Sequence, residues 1–337
     1  MIKLRSILQK FSKKRVLIVG DLILDEYIWG DVGRISPEAP VPVVWANKRS
    51  FIPGGAANVA NNISAFDAKA TIIGVVGEDK NADILLAELK KRNISTQGIF
   101  SQPKRHTTVK TRIIAGHQQV VRVDWEHTDS LPAQLNGKIC RYINDNINKF
   151  DAVIVEDYGK GVINPHVLEE VIYLAKKYNK IVTVDPKEEN FIFFCGVTSI
   201  TPNRKELENA VRNLRIKDTT NKFVMHNDRL LSPKDIDDAA IQVLKYLDLE
   251  SILVTLGENG MSLFEKGKNP VHIPTVAQEV FDVSGAGDTV IACFTLALAC
   301  GATKTEAAQL ANFSAGIVVS KIGTAVTNRK ELAERLK

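Results

Sequence analysis

Short apolar runs alternate along the chain with longer segments in which apolar residues recur at helical spacing. The runs at 15–20, 71–76, 152–157 and 181–186 are rich in valine and isoleucine, as buried strands are. Strands that are apolar on both faces and joined by helices are typical of a mainly parallel sheet covered on both sides. The pattern therefore predicts an α/β fold with a three-layer α/β/α core.

Two segments, 23–52 and 107–126, interrupt this alternation. The first is rich in valine, tryptophan and proline, and the second alternates as a paired strand does. Both predict β structure outside the main sheet, and such an insert commonly forms a lid over a site or a surface for dimerisation. No linker divides the chain, so residues 1–337 are expected to form a single domain that carries a small β lid and forms a homodimer through it.

Composition and charge argue against several classes of protein. A net charge of +5 spread over 337 residues is typical of a solvated surface, so no nucleic-acid partner is expected. The longest apolar run, at 290–300, is far shorter than the roughly 20 residues of a membrane-spanning helix, so no membrane association is expected. The four cysteines form no C-x-x-C pair, which favours reduced thiols and a cytoplasmic location.

The glycine-rich stretch DVSGAGD, at 282–288, precedes an apolar helical segment, whereas no G-x-G-x-x-G, P-loop or G-x-S-x-G motif occurs. Gly285 and Gly287 let the backbone curl so that amide groups converge on one point, where the helix dipole favours an anion. Asp288 would lie beside that point as an acceptor for a hydroxyl proton, an arrangement that indicates phosphoryl transfer. The alternative is that Asp288 only caps the helix and the glycines serve packing.

Two further motifs each allow two interpretations. PGGAANVANNI, at 53–63, places glycines before a helix whose Asn58 could face a polyhydroxylated ligand, or it is a tight loop that needs small residues. TPNRKELE, at 201–208, puts Asn203 and Glu206 three residues apart at the start of a helix. That pair could orient a magnesium ion and its waters, or it could be a simple capping box.

In this order, the motifs resemble those of the ribokinase-type (PfkB) carbohydrate kinase family, and the resemblance extends over nearly the full length. D-x-x-G-A-G-D is its most specific motif. The resemblance implies a ribokinase-like fold, ATP and Mg²⁺ as cofactors with K⁺ as a further candidate, and a sugar substrate. It also implies that Asp288 is the base and that the amides of Gly285, Ala286 and Gly287 stabilise the transferring phosphoryl group.

The same resemblance implies three sets of binding residues. The ATP phosphates would be bound by Asn203, Arg204, Lys205 and Glu206. Glu206 would also hold Mg²⁺ through water. The rest of the nucleotide would be bound by Thr255, Gly257 and Asn312. Those for the sugar hydroxyls are Asp21, Gly54, Gly55 and Asn58. Those for a phosphate on the sugar are Lys187, Arg112 and Arg122, because a dianion needs cationic partners.

Within the family, RISPEAPVP at 34–42, DYGKGVI at 157–163 and HIPTVAQEVFDVSGAGD at 272–288 are most similar to the branch that phosphorylates a heptose 7-phosphate at C1. Because the chain ends at Lys337, it is expected to be the kinase alone, without the nucleotidyltransferase domain of many relatives. The alternatives are a ribokinase-type kinase with another sugar, sugar phosphate or nucleoside as acceptor, and a ligand-binding regulator that has lost catalysis.

The chain departs from the pattern of this branch at two places. Glu156 stands where relatives commonly have serine, which is expected to alter a polar contact near the sugar. The segment GTAVTNRKEL, at 323–332, lacks the serine-proline pair that usually follows G-T, which is expected to loosen a loop that binds a monovalent cation. Neither departure changes the base or the glycine turn.

Overall fold

A computed structural model describes residues 2–116, 118–219, 221–225, 229–277, 279–321 and 323–336. The strands in these ranges are β1 (Arg15–Gly20), β2 (Leu22–Ile35), β3 (Pro42–Gly55), β4 (Lys69–Gly77), β5 (Ser95–Gln102), β6 (Thr108–Ala115), β7 (Gln118–Trp125), β8 (Ala152–Glu156), β9 (Ile181–Asp185), β10 (Ser199–Ile200), β11 (Ser251–Thr255), β12 (Met261–Glu265) and β13 (Val271–Ile273). The α-helices are α1 (Ile2–Gln9), α2 (Ala56–Ala65), α3 (Lys80–Lys91), α4 (Ala133–Asn146), α5 (Pro165–Lys177), α6 (Arg204–Lys217), α7 (Pro233–Tyr246), α8 (Ala286–Ala299), α9 (Lys304–Val318) and α10 (Arg329–Arg335).

The main sheet has the strand order β13-β12-β11-β10-β9-β8-β1-β4-β5. All of its neighbouring strands from β11 to β5 run parallel, and β12 and β13 add an antiparallel edge. Successive residues of β1 point to opposite faces, so Val16 and Ile18 belong to one apolar core and Leu17 and Val19 to the other. The predicted α/β/α fold class is confirmed.

Helix α8 is the element that brings the glycine-rich stretch to the sheet. Its side chains from Asp288 to Leu298 are buried, and it packs against α2, α9 and the strands β8 and β9. A helix that is apolar on every side must lie inside a protein, which explains why this segment carries so few polar residues. Thr295, one of those few, shares a hydrogen bond with Thr183 of β9 (2.6 Å). The amino end of α8 therefore lies at the carboxyl ends of β8 and β9.

A second, smaller sheet has the order β3-β2-β6-β7, and it occupies the two segments in which the sequence predicts extra β structure. β2 begins two residues after β1 ends, and β3 leads directly into α2, so the second sheet projects from the carboxyl edge of the main sheet. β2 pairs antiparallel with β3 and parallel with β6. This attachment places the second sheet beside the amino end of α8.

The amino-terminal helix α1 docks on the core. Leu4, Ile7 and Leu8 are buried on α1, and Phe11 meets Phe66 edge to face at 5.5 Å between ring centroids. None of the helices in the described part of the chain combines the length and the apolar character that crossing a membrane requires.

Candidate active site

Asp288 lies in the first turn of α8 and is 5% exposed. Its Oδ2 accepts a hydrogen bond from Asn58 Nδ2 (2.6 Å), and its Oδ1 accepts one from the Tyr158 hydroxyl (3.1 Å). Burial raises the pKa of Asp288 to about 6, although the two hydrogen bonds oppose the rise. A fixed carboxylate that titrates near neutral pH has the properties of a general base.

The glycine turn begins α8 without a side-chain cap. Gly285 is the N-cap residue with φ +78°, in the left-handed region, and a Cβ built on it would lie 2.8 Å from Asn58 Nδ2. Asp288 is not the N-cap residue, but its carboxylate also bonds to a backbone amide of the first turn, so a contribution to capping accompanies its bonds to Asn58 and Tyr158. Asp282 orders the turn, since its carboxylate accepts from the amides of Ser284 (2.9 Å) and Gly323 (3.1 Å).

One of the three amides predicted to face a phosphate has another partner. The Ala286 amide donates to the Val283 carbonyl (3.2 Å), because the chain tightens there as it enters the helix. The predicted contact of these amides with a phosphate stays a prediction, for which Gly285 and Gly287 are the candidates without this backbone bond. A Cβ built on Gly287 would lie 3.8 Å from Asp185 Oδ2.

Gly54 and Gly55 occupy positions at which a side chain does not fit. A Cβ on Gly54 would lie 2.5 Å from Asp25 Oδ2, and one on Gly55, which has φ +55°, would lie 2.8 Å from the Asp21 carbonyl. The alternative interpretation is correct in that small residues are needed here, but both glycines end β3 rather than forming a loop, and a ligand-binding role stays a prediction. The strand leads directly into α2, whose Asn58 is fully buried and contacts Asp288.

Asp21 has partners that the sequence did not indicate. Its carboxylate accepts from the backbone amides of Tyr158 (2.9 Å), Lys160 (3.0 Å) and Val162 (3.1 Å), and the residue is 1% exposed. Burial raises its pKa, and these three amides oppose the rise. The side chain therefore anchors the 158–162 loop and its Tyr158, and its contact with sugar hydroxyls stays a prediction.

The two predicted arginines lie opposite each other on β6 and β7. Arg112 Nη1 donates to Asp25 Oδ1 (2.5 Å), and its guanidinium lies over the Tyr27 ring, 5.3 Å from the centroid. Arg122 makes two hydrogen bonds to Asp124, each 2.9 Å. Asp25 is 6% exposed, and burial raises its pKa against the pull of Arg112. Arg112 and Arg122 thus belong to one charged face of the second sheet.

Lys187 follows β9 and is exposed. Its Cγ lies 3.7 Å from the position of a Cβ built on Gly159, so it borders the 158–162 loop. Lys160 of the same loop forms an ion pair with Glu126 (2.8 Å), which ties the loop to the end of the second sheet. The predicted lysine and the predicted arginines therefore approach the site from different elements.

Three acidic side chains meet at the carboxyl edge of the main sheet. Glu156, Asp185 and Asp288 each offer an oxygen within 4.8 Å of the others. Burial, followed by the neighbouring carboxylates, raises the pKa values of Glu156 and Asp185 well above their usual range. Carboxylate oxygens are the ligands that Mg²⁺ prefers, so these residues fit a divalent cation.

Asn203 and Glu206 form the capping box of α6. The Asn203 side chain accepts from the Glu206 amide (3.0 Å), and Glu206 Oε2 accepts from the Asn203 amide (2.8 Å). The Glu206 carboxylate is also close enough to raise the pKa values of Asp185 and Glu156, so the capping role does not take it out of the site. Arg204 and Lys205 point to Glu208 on the surface of α6.

The residues predicted to bind the rest of the nucleotide lie on three elements. Thr255 ends β11 and pairs with Asn203 in an isolated bridge, which brings these two predicted residues together. Gly257 follows with φ +59° and with no atom within 4 Å of a built Cβ. Asn312 of α9 is buried and donates to the Pro274 carbonyl (2.8 Å) just after β13. Asn312 therefore holds the segment that follows β13. Among the described residues, it forms no hydrogen bond with Thr255 or Gly257.

Sequence analysis missed Tyr158, Asp25 and Asp185 as members of the site. Tyr158 follows β8 and Asp185 ends β9, at the carboxyl edge of the main sheet, where ligands bind in open α/β sheets, whereas Asp25 lies near the amino end of β2 in the second sheet. The sequence signal for Asp185 was its position at the end of the apolar strand β9, directly before a proline. The hydroxyl of Tyr158 stays protonated because burial and then Asp288 raise its pKa well above the usual range, so it donates to the base.

Residues 13–331 match the family model described as pfkB family carbohydrate kinase, and the chain belongs to this family. It is a sugar kinase. Among curated relatives, the "Bifunctional protein HldE" of Desulfatibacillum aliphaticivorans is 42% identical over 326 residues, which cover 97% of this chain and 64% of the relative. The protein of the same name from Helicobacter pylori (strain HPAG1) is 43% identical over 321 residues, covering 95% and 66%. The chain thus spans about two thirds of the length of these relatives.

Solved structures of low sequence identity share the fold. Ribokinase of Arabidopsis thaliana, complexed with ribose and ATP, has a TM-score of 0.74 at 19% identity, with 96% of this chain and 99% of that chain covered. Phosphofructokinase-2 of Escherichia coli, in complex with substrates and products, has a TM-score of 0.74 at 18% identity, with 95% and 97% covered. The ribokinase-like fold expected from the motifs is confirmed.

The contact between Gly285 and Asn58 predicts a selective loss of activity in Gly285→Ala. The new methyl group would press on the amide that orients Asp288, and a displacement of about 1 Å at a reacting group can lower turnover on the order of 100-fold. Gly301→Ala is the matched control, because Gly301 also has a left-handed φ (+84°) but has no atom within 4 Å of its built Cβ. Both variants should lose roughly 1–2 kcal/mol of stability. Equal kcat values for the two variants would contradict this account.

Proposed function

We propose that this sugar kinase transfers the γ-phosphoryl group of ATP to the anomeric hydroxyl of D-glycero-β-D-manno-heptose 7-phosphate, which yields the 1,7-bisphosphate for ADP-heptose and the lipopolysaccharide inner core. The observation that carries phosphoryl transfer is the buried Asp288 held by Asn58 and Tyr158 at the amino end of α8. The choice of acceptor is supported by the segments 34–42 and 272–288 and by the relatives named HldE.

In the proposed reaction, Asp288 accepts the proton of the C1 hydroxyl as the oxygen attacks the γ-phosphorus and the bond to the ADP oxygen breaks. The amides of Gly285 and Gly287, with the positive end of the α8 dipole, stabilise the negative charge on the transferring group. Tyr158 and Asn58 hold the carboxylate in place while it takes the proton. The backbone bonds of Asp21 to the 158–162 loop keep Tyr158 in position.

The nucleotide would lie between the start of α6 and the end of β11. Asn203, Arg204, Lys205 and Glu206 are proposed for the ATP phosphates and the shell of Mg²⁺, which when bound neutralises phosphate charge. Thr255, Gly257 and Asn312 are proposed for the rest of the nucleotide. K⁺ is proposed near the segment that follows α9, where Asp282 accepts from the Gly323 amide.

The sugar would lie between the second sheet and α2. Asp21, Gly54, Gly55 and Asn58 are proposed to border its hydroxyls. Asp25 is proposed as a further contact because its carboxylate faces Gly54. Lys187, Arg112 and Arg122 are proposed for the 7-phosphate. Arg112 already pairs with Asp25, so an arriving phosphate would share that guanidinium between two anions.

Acceptor choice tests this proposal most directly. With Mg-ATP, ADP release is expected with the heptose 7-phosphate but not with fructose 6-phosphate or ribose. Lys187→Ala should raise KM for the phosphorylated sugar by about 10-fold or more, since a charged hydrogen bond contributes about 1.5–3 kcal/mol, while kcat changes less. Lys177→Ala, on the outer surface of α5, is the control and should match the wild type. Turnover of another acceptor in place of the heptose would instead support the alternative ribokinase-type specificity.

The role of Asp288 predicts the effects of substitution and of pH. Asp288→Asn should lower kcat by about 10²–10⁴, since that is the usual contribution of a placed base. In the wild type, kcat/KM should fall as pH drops through about 6, because protonation removes the acceptor. Steady-state kinetics between pH 5 and 8 would measure both effects. Asp238→Asn, on the surface of α7, is the control. An Asp288→Asn enzyme within a few-fold of wild type would refute the mechanism and support the regulator alternative.

The outer face of the second sheet supports a homodimer. Side chains alternate along β7, so Arg122 lies on the side of the sheet that carries Arg112, whereas Val121, Val123 and Trp125 lie on the other and are 40–59% exposed. A groove of about 590 Å³ on that outer side is lined by Ile28, Val123 and Trp125 among others. Exposed apolar patches of this kind commonly mark association surfaces.

Light scattering should therefore report about twice the 37.2 kDa of one chain at micromolar concentration. Trp125→Lys should shift the species to the mass of a single chain, because a charge would be buried in the apolar interface. Tyr173→Lys is the control, since Tyr173 is similarly exposed (62%) but lies on α5. A wild type that is monomeric at this concentration would contradict the dimer.

A further inference from the structure

Glu156 is a buried acid whose carboxyl group meets another acid. It ends β8 and is 0% exposed, and among the described residues no donor group satisfies its carboxyl oxygens, which can bond to Asp185 only if the two acids share a proton. A Cβ on Gly20 of the adjacent β1 would lie 2.7 Å from Glu156 Cβ, so the glycine leaves the space that the Glu156 side chain occupies. Leaving a charged group buried and unsatisfied is costly, and such a group is retained when it pairs with a proton or a cation.

The groups that face Glu156 are themselves acidic. Asp185 is its register partner on β9, and the carboxyl oxygens of Asp185 and Asp288 lie within 4.8 Å of its own. Glu206 adds negative charge from the start of α6. Three carboxylates this close, of which Glu156 and Asp288 are buried and Asp185 is partly buried, cannot all remain ionised without a positive charge between them.

The Glu156–Asp185 pair also borders the place proposed for the transferred phosphoryl group. A Cβ on Gly287 would lie 3.8 Å from Asp185 Oδ2, so this carboxylate reaches the glycine turn. Magnesium ions in phosphoryl-transfer sites are usually held by one or two carboxylates together with substrate phosphates and water. Two carboxylates next to an anion-binding turn match that ligand set.

We propose that Glu156 and Asp185 form a divalent-cation site that this chain can occupy before the nucleotide binds. The ion takes one oxygen from each carboxylate and completes its coordination with water, and Asp288 stays outside this coordination, bound to Asn58 and Tyr158. The nucleotide phosphates later replace some of the waters. This last step rests on the proposed kinase mechanism, whereas occupation of the site by the ion alone does not.

Binding of Mn²⁺ to the nucleotide-free protein tests the site, with free Mn²⁺ followed by electron paramagnetic resonance. One Mn²⁺ per chain is expected. Glu156→Gln, which keeps the shape and removes the charge, should weaken binding by at least about 10-fold, equivalent to about 1.4 kcal/mol. Asp185→Asn should do the same, so the result does not depend on one variant folding well. Glu265→Gln, on the antiparallel edge at β12, is the matched control and should bind as the wild type does.

Thermal unfolding gives an independent readout. Saturating Mn²⁺ should raise the Tm of the wild type and of Glu265→Gln, because a ligand that binds only the folded state stabilises it, and should leave the Tm of Glu156→Gln nearly unchanged. The proposal would be overturned if Mn²⁺ did not bind without nucleotide, or if Glu156→Gln bound Mn²⁺ with unchanged affinity. The alternative explanation would then be that Glu156 and Asp185 share a proton. Neither measurement contains a sugar, so a wrong assignment of the acceptor would leave them unaffected.

Discussion

The hydrogen bond from Asn58 to Asp288 joins two helices that are 230 residues apart in the chain. A second bond, from the Thr289 hydroxyl to Asn62 Oδ1 (2.8 Å), lies one helical turn further along the same contact. Both helices are almost wholly buried, so their packing is set by small side chains and tolerates little displacement. The distance between the end of β3 before α2 and the glycine turn before α8 is therefore fixed by the core, and the position of Asp288 relative to α2 depends on that distance.

A second set of hydrogen bonds connects Asp288 to the carboxyl ends of β1 and β8 in the main sheet. Asp21 directly follows β1 and binds three amides of the 158–162 loop, which in turn supplies the Tyr158 hydroxyl to Asp288. β1 and β8 are neighbours in the sheet, so this loop starts from a strand end that is already in place. The carboxylate of Asp288 is thus held by Asn58 of α2 on one side and by Tyr158, just after β8, on the other.

The sequence predicted the parts of the site that are local and missed those that depend on strand order. A glycine turn, the aspartate after it and an apolar helix are adjacent in the chain, so DVSGAGD was recognisable. Glu156 and Asp185 meet only because β8 and β9 are neighbours, which no spacing reveals. N-x-x-E stayed ambiguous because a capping box and a cation site need the same spacing. Helix α4 was not predicted, since only Leu135, Ile139 and Ile143 are buried along its fourteen residues.

In the second sheet, the register of strand pairing determines which residues lie on each of its two faces. The pairing of β6 with β7 sets Arg112 opposite Arg122 on the side that also carries Asp25 and Tyr27. The same alternation sends Val123 and its apolar neighbours to the outer side. A shift of the pairing by one residue would exchange the two faces and place the arginines among apolar groups. Burial of the outer face against a second chain would oppose such a shift, because it would favour only the register in which the apolar residues point outward. Association and acceptor recognition would then be coupled through strand pairing, without any contact between the partner chain and the sugar.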